Sequence, residues 1–440
     1  MLNYIWLALV LAAVLLGGWH GRFKEVTDAA FDAARTAVMG IALPLVGLTA
    51  LWLGLMRLAE KAGLIQTLAR GLLPFMRRLF PDVPAGHPAM GSMLMNMAAN
   101  MIGLTNAATP LGLRAMNDLE KLNPRPGTAT NAMCTFLAIN TSSLQLVPAT
   151  AIALLAAAGS AQPTAIVGTT LVATSCAVTT AIVSVKLLER LPWFRLLPAT
   201  APAPTAGEPQ TATSPPDDTG MPSATSPWRA WHAAVLVAFL ALFAVFFARE
   251  WVVAPAPAAP GVFLRVMKAM SLLAIPFLVA FFPLYAALRG VRVYEEFVEG
   301  AKEGFAVALR IIPFLVAMLV AVGTFRAAGG VDLLGRLLAP VLDVVRFPSE
   351  LLPLALTRPL SGSATIGLFA ELVKANGPDA LVTRMGGTLL GSTETTFYVL
   401  AVYFGAVAVR RTRHALAAGL LADAAGMIAS VLVCRWVFGG

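Results

Sequence analysis

The feature that most constrains this chain is an internal duplication. Around residue 140 an apolar run is broken by a polar cluster, FLAINTSSLQLVP (136–148), and the same event recurs in LLGSTETTFYVL (389–400). A matching set of landmarks precedes each cluster. Pro44, Gly54 and Arg57 return as Pro313, Gly323 and Arg326 at one constant offset, RGLLP (70–74) returns as RLLAP (336–340), and Phe80-Pro81 returns as Phe347-Pro348. Two related halves, each with a broken polar segment inside an apolar run, form the pattern of a transporter whose site lies where the halves meet.

Composition places that pattern in a bilayer. The 440 residues are 58% hydrophobic and only 12% charged, with a mean hydropathy of +0.77, outside the range of soluble domains. Apolar stretches at 5–16, 42–55, 164–185, 233–247, 270–288 and 415–437 are long enough, or nearly so, to cross a membrane. The first lacks a basic leader and a small-residue cleavage site, so a retained span is expected there. The net charge of +9 does not point to nucleic acid. Its cations sit at the ends of apolar runs, where they orient membrane proteins toward the cytoplasm. Cys134, Cys176 and Cys434 are isolated in apolar segments and read as packing residues. His20, His87, His232 and His414 fall near predicted span ends and share no metal-ligand spacing. No Walker A, GxSxG or HExxH motif occurs, so neither an ATPase nor a hydrolase is indicated, and no cofactor is expected.

The fold expected is an all-α polytopic membrane protein of two inverted-topology repeats, each with a re-entrant helical hairpin and a broken transmembrane helix. The first repeat covers 1–190 and the second 251–440. Between them lie a Pro-, Ala- and Thr-rich linker (191–230), read as disordered, and an extra connecting span (231–250). Each repeat runs in the same order: span, amphipathic stretch, span, basic interfacial segment, hairpin, broken span, final span. The hairpins are 89–116 and 351–373, apolar at both ends and interrupted by polar residues, Gly and Pro. Such irregular backbone is tolerated at membrane depth only against protein or a watery cavity. With the N-terminus in the cytoplasm of a plasma-membrane protein, the loops at 57–88, 114–130, 186–230, 289–310 and 407–414 face inward with most of the Lys and Arg. The short loop 159–163 and the segment 252–260 face outward. One extra span between the halves then inserts the second upside down.

The residues that could carry function are the polar ones at these interruptions. In the first half they are Asn96, Asn100 and Asn106 on the hairpin, and Asn140, Thr141, Ser142, Ser143 and Gln145 on the broken span. In the second they are Arg358, Ser361 and Ser363, then Ser392, Thr393, Glu394, Thr395 and Thr396, with Gly362 expected to supply the hairpin turn. Asn96 and Asn100, four apart, share a helix face. Freed backbone groups and hydroxyls around one cavity suit a small polar or anionic solute. Intramembrane charge is costly and usually functional. Arg358 would grip a carboxylate or phosphate, and Glu394 would titrate with a proton or hold a coupling sodium ion, unless the two merely neutralise one another. Asp423, alone among small residues, has no assigned role. Two further readings remain open: a membrane scaffold in envelope maturation whose polar clusters only pack helices, and a lipid or lipid-carrier translocase. The partners implied are a solute, a coupling ion, the lipid bilayer and, without a sequence signal either way, a second copy of the chain.

The same stretches carry a resemblance. HPAMGSMLMNMAANMIGLTNAATPLGLRAM and FLAINTSSLQLVP resemble spore maturation protein A, while VYEEFVEGAKEGF, RPLSGSATIG and GSTETTFYVLAVYFGAV resemble spore maturation protein B. The chain thus looks like a fusion of the two families. Both resemble the group with a nucleoside recognition, or gate, domain, shared with concentrative nucleoside transporters and the membrane region of ferrous-iron transporter B. That resemblance implies an inverted-repeat, solute-handling membrane protein. In the nucleoside transporters an acidic residue accompanies the polar pair on each broken helix. Here only Glu394 is present, and the first half has Asn140-Thr141-Ser142-Ser143 instead.

Overall fold

Apolar sequence with few strand-favouring alternations becomes helix almost throughout. A computed structural model describes residues 2–84, 86–103, 105–194, 229–253, 262–330 and 346–439, together with 333 and 336. The linker within 195–228, the outward segment at 254–260 and most of the interfacial segment 333–345 lie outside the described residues. The first half comprises α1 (Leu2–Trp19), α2 (Phe23–Arg35), a π-helical turn (Thr36–Ala42), α3 (Leu43–Lys61), α4 (Leu64–Leu79), α5 (Pro88–Ile102), α6 (Thr105–Glu120), α7 (Asn131–Ser142), α8 (Ala149–Ala157) and α9 (Ile166–Leu188). The second comprises α10 (Ala230–Val253), α11 (Val262–Leu288), α12 (Val293–Ala327), α13 (Leu352–Thr357), α14 (Gly362–Asn376), α15 (Leu381–Ser392), α16 (Thr396–Ala406) and α17 (Ala415–Phe438).

Among the described residues, four helical stretches are long and apolar enough to cross a membrane: Pro163–Leu188, Ala230–Arg249, Arg265–Leu288 and Ala415–Phe438. The bent pair Phe23–Gly40 and Leu45–Lys61, meeting at 41°, makes a fifth. The chain is a multi-pass membrane protein. Ala230–Arg249 is almost wholly exposed and packs on α11 with the rings of Phe239 and Phe243 against Phe277 and Phe281, as an accessory span would. One expectation is corrected: the second amphipathic stretch and its following span are a single 35-residue helix, α12. Nothing at their junction offers a break, and Pro313 is absorbed within the helix.

Each interrupted segment is built of two short helices. Helices α7 and α8 have 12 and 9 residues, and α15 and α16 have 12 and 11. At 1.5 Å per residue each is at most about 18 Å long, short of the roughly 30 Å hydrocarbon core. Only the two pieces together can cross. Segment 89–116 is a helical hairpin: α5 and α6 lie side by side, and Gly103, at φ 89°, makes the turn. Its feet are tied by Ser92, whose hydroxyl donates to Asp118 at 3.0 Å. The second hairpin is lopsided, with six residues in α13 against 15 in α14. Gly362 does not supply its turn. It is the first residue of α14, capped by the Ser361 hydroxyl, which accepts from the Ala364 amide at 3.2 Å.

The halves grip each other through equivalent positions. A Cβ on Gly54 of α3 would meet Phe297 of α12 at 2.7 Å, and one on its repeat mate Gly323 of α12 would meet Ala33 of α2 at 3.6 Å. Each glycine therefore faces the amphipathic helix of the opposite half, a reciprocal exchange. Both ends of the molecule repeat it. At one end Asp379, before α15, accepts from the Ser160 hydroxyl at 2.7 Å and the Ala161 amide at 2.9 Å, in the loop after α8. At the other, Arg410 and Arg411, in the loop after α16, donate backbone amides to Gly127 at 2.9 and 3.1 Å, before α7.

Candidate functional site

Each broken helix frees backbone groups that must find partners in a medium without water. Helix α7 begins cleanly, with the Thr130 hydroxyl accepting from Met133 at 3.2 Å. It ends at Ser143, held at φ 25° and ψ 97°, a conformation costing a non-glycine residue about 1–3 kcal/mol. The Thr174 hydroxyl of α9 donates to the freed carbonyl of Ser143 at 2.8 Å. In the second half, Thr393 and Thr395 are extended between α15 and α16. The two breaks meet directly. The Glu394 amide donates to the Thr141 carbonyl at 2.7 Å, and the Gln145 side-chain amide donates to the Glu394 carboxylate at 3.0 Å.

Both hairpin tips close on this crossing. The Leu146 amide donates to the Met101 carbonyl of the first tip at 3.2 Å, and the Phe397 amide donates to the Pro359 carbonyl of the second at 2.9 Å. Thus the first tip offers a carbonyl to the break of its own half, and the second tip offers one to the first turn of α16. Side chains add to this: Asn100 donates to Asn140 at 2.9 Å, and Arg358 donates to the Thr395 hydroxyl at 3.4 Å. Gly362 has its use here, since a Cβ would stand 3.0 Å from that hydroxyl oxygen.

The cluster has two layers. Asn140, Thr141, Ser142, Ser143, Ser392, Thr393, Thr395 and Thr396 are all buried. Several spend their hydroxyls on their own helix: Thr141 on Ala138, Ser142 on Ala138 and Ile139, and Ser392 on Leu389. The Ser143 hydroxyl is buried without a partner. Asn100, Gln145, Ser361, Ser363 and Glu394 are half-buried and form the open edge. Charge straddles both layers. Arg358 is 4% exposed, its Nε has no partner, and it approaches Glu394 only to 4.0 Å.

One of the sequence-derived candidates stands apart. Asn96 is fully buried and donates to the Ala108 carbonyl at 2.7 Å and to Tyr403 at 3.3 Å. It staples the two arms of the first hairpin, so sharing a helix face with Asn100 does not bring it to the crossing. Asn106 belongs to α6, but its side chain lies outside the described residues. Two residues that sequence reasoning did not place belong to the site. Asp423 of α17 accepts from Thr396 at 2.6 Å, and its carboxylate also faces the Thr393 hydroxyl. Thr174 supports the break from α9. An acid in an apolar span was the available signal for the first; nothing distinguishes Thr174 from its neighbours. Among the described residues no group of three or more His, Cys, Asp or Glu could hold a metal ion.

Comparison with known proteins agrees with this architecture. The family described as nucleoside recognition, or Gate, matches residues 42–158 and 308–410, which between them contain both hairpins and both broken helices. Spore maturation protein B of Bacillus subtilis (strain 168) is 44% identical over 176 residues, 40% of this chain and 99% of that protein. Spore maturation protein A of the same organism is 44% identical over 174 residues, 40% of this chain and 88% of that protein. The two similarities fall on separate parts of the chain. No solved structure matches it.

Proposed function

This chain belongs to the nucleoside recognition (Gate) family, and from that premise we propose that it transports a small polar or anionic solute by alternating access around the crossing of its two broken helices. One observation carries the reading: the breaks of both halves bond to each other, Glu394 amide to Thr141 carbonyl, with charged and unpartnered polar groups beside them. Buried Arg358 and Asp423, with half-buried Glu394, are groups that a scaffold has little reason to retain inside a membrane. In this reading the conformation is closed, latched at both ends, and transport requires releasing one latch at a time. Glu394 and Gln145, on the open edge, meet the solute first; Glu394 is also the group to exchange a proton or a sodium ion. The site is in the plasma membrane, with the N-terminus inside and the second repeat inverted relative to the first.

A second reading, a scaffold or regulatory protein of envelope maturation, is favoured by the hydroxyls of Thr141, Ser142 and Ser392, which satisfy their own helices. Thermal melting of the purified protein against nucleosides, dicarboxylates, metal ions and inorganic phosphate separates the two. A ligand of the native state at a hundredfold over its Kd adds about 2.7 kcal/mol, and it should then drive counterflow in proteoliposomes. Stabilisation by no compound, with no counterflow, would leave the scaffold.

A further inference from the structure

Outside the crossing, the membrane-facing side of α9 carries a furrow. One part, a cavity of about 530 Å³, is lined by Phe75, Arg78 and Leu79 of α4, Leu144 of the first break, and Ile182 and Val183 of α9 among others. A second cavity shares Ser175 and Thr179 with it and continues along α9 to Leu171. From Leu171 to Val183 the furrow is about 18 Å long at 1.5 Å per residue, close to the roughly 15 Å depth of one leaflet's hydrocarbon. Its hydroxyls are neutralised within the helix: Ser175 donates to Leu171 and Thr179 to Ser175. The wall is therefore apolar in effect, and Cys176, exposed on it, is a lipid-side residue rather than packing.

At the α4 end the furrow changes character. Arg78 is exposed and makes no ion pair among the described residues. Arg77 and Arg70 lie on the same amphipathic helix, also exposed. An apolar slot of leaflet length ending at the Arg78 guanidinium is complementary in shape and charge to an acyl chain under an anionic headgroup. We propose that this furrow binds an anionic phospholipid, its phosphate on Arg78 and its chain along α9 as far as Leu171. The chain passes Leu144, between Ser143 and Gln145, so the lipid would seal the side of the first break toward the bilayer. This site is independent of whether the crossing transports a solute.

The test is native mass spectrometry of detergent-solubilised protein titrated with phosphatidylglycerol or phosphatidylcholine. Wild type should retain one phosphatidylglycerol about fivefold better than phosphatidylcholine. Arg78→Gln, at an exposed position, should bring the two lipids level, and Val178→Trp, which fills the slot, should reduce both. Equal retention of the two lipids by wild type, or a preference unchanged in Arg78→Gln, would overturn the proposal. So would a dimer peak displaced by Val178→Trp, which would make a second copy the occupant. Should Val178→Trp melt early, Arg78→Gln still decides.

Discussion

Arg358 and Glu394 form an ion pair whose two members stand in different surroundings. The Arg358 side chain is 5% exposed and that of Glu394 is 28% exposed, with 4.0 Å between them. The pair is therefore asymmetric in a way that composition could not reveal. Removing the carboxylate leaves a buried guanidinium with an unpartnered Nε and Asp423 as its remaining countercharge, so Glu394→Gln is expected to destabilise by about 3 kcal/mol. Removing the guanidinium leaves a carboxylate still bonded to Gln145 and within reach of water, so Arg358→Met should cost less than half of that. The double variant should return near wild type. Melting temperatures of the three in nanodiscs check the order; equal losses in the two singles would contradict it. Transport separates structure from coupling: Glu394→Gln combined with Arg358→Met should fold and yet fail to concentrate solute. At this scale the sequence displays residues that interrupt apolar runs, which is why Asn140 to Ser143 and Ser392 to Thr396 were legible. Partners on other helices, such as Thr174 and Asp423, depend on which helices become neighbours, and no local pattern encodes that.

Helices meet here at small residues, and the closest approach is between α3 and α12. A Cβ on Gly304 would stand 2.5 Å from the Cα of Ala50, and one on Gly300 would stand 2.7 Å from the Leu53 carbonyl. These are backbone atoms, so only separation of the two helices could make room. Gly304→Ala is expected to cost about 1–3 kcal/mol. Gly47→Ala, on α3 with open space around it, should be neutral or stabilising by up to about 1 kcal/mol. The same melting assay distinguishes them. Hairpins and broken helices were readable as elements because short helical pieces cannot cross a bilayer alone. The fused α12 and the lopsided second hairpin were not, since continuity across a polar stretch depends on the packing that flanks it.

Loops latch these elements, and one latch titrates. Hydrogen bonds from the Ala161 amide and the Ser160 hydroxyl hold Asp379 below the ordinary carboxylate range, with Arg384 adding a smaller effect. A depressed folded-state value means the latch is in place above the unfolded aspartate value and is lost as pH falls through the lower, folded one. It should hold at neutral pH and open only below about pH 4. Asp379→Asn should loosen it at all pH values. A cysteine placed at Ala161, which keeps the backbone amide of the latch, should then react several-fold faster with a membrane-impermeant maleimide at pH 7. No change in rate would remove the latch from the mechanism.

Over the whole molecule, the contacts sort the chain ends into two groups. His20 lies 3.1 Å from the Ala328 carbonyl, bringing the Arg22 corner to the end of α12, and Lys374 pairs with Asp32 beside the Asp379 latch. Opposite these, Arg289 donates to the Ala62 carbonyl at 3.0 Å, and Arg411 pairs with Thr128. Basic residues at 57–88, 289–310 and 407–414 crowd this second group, and cations accumulate on the cytoplasmic side. Single cysteines at Arg22, Arg336 and Asp379 should therefore label from outside intact cells, and those at Arg78, Arg292 and Arg411 only after permeabilisation. Cys176 is exposed and must first be replaced, while Cys134 and Cys434 are buried. Arg70 and Arg336 begin the matching RGLLP and RLLAP stretches, so the repeats are inverted only if their neighbourhoods fall on opposite faces. Labelling of Arg78 and Arg336 from the same side would end the inverted repeat, and with it the symmetry argument that exchanges one latch for the other.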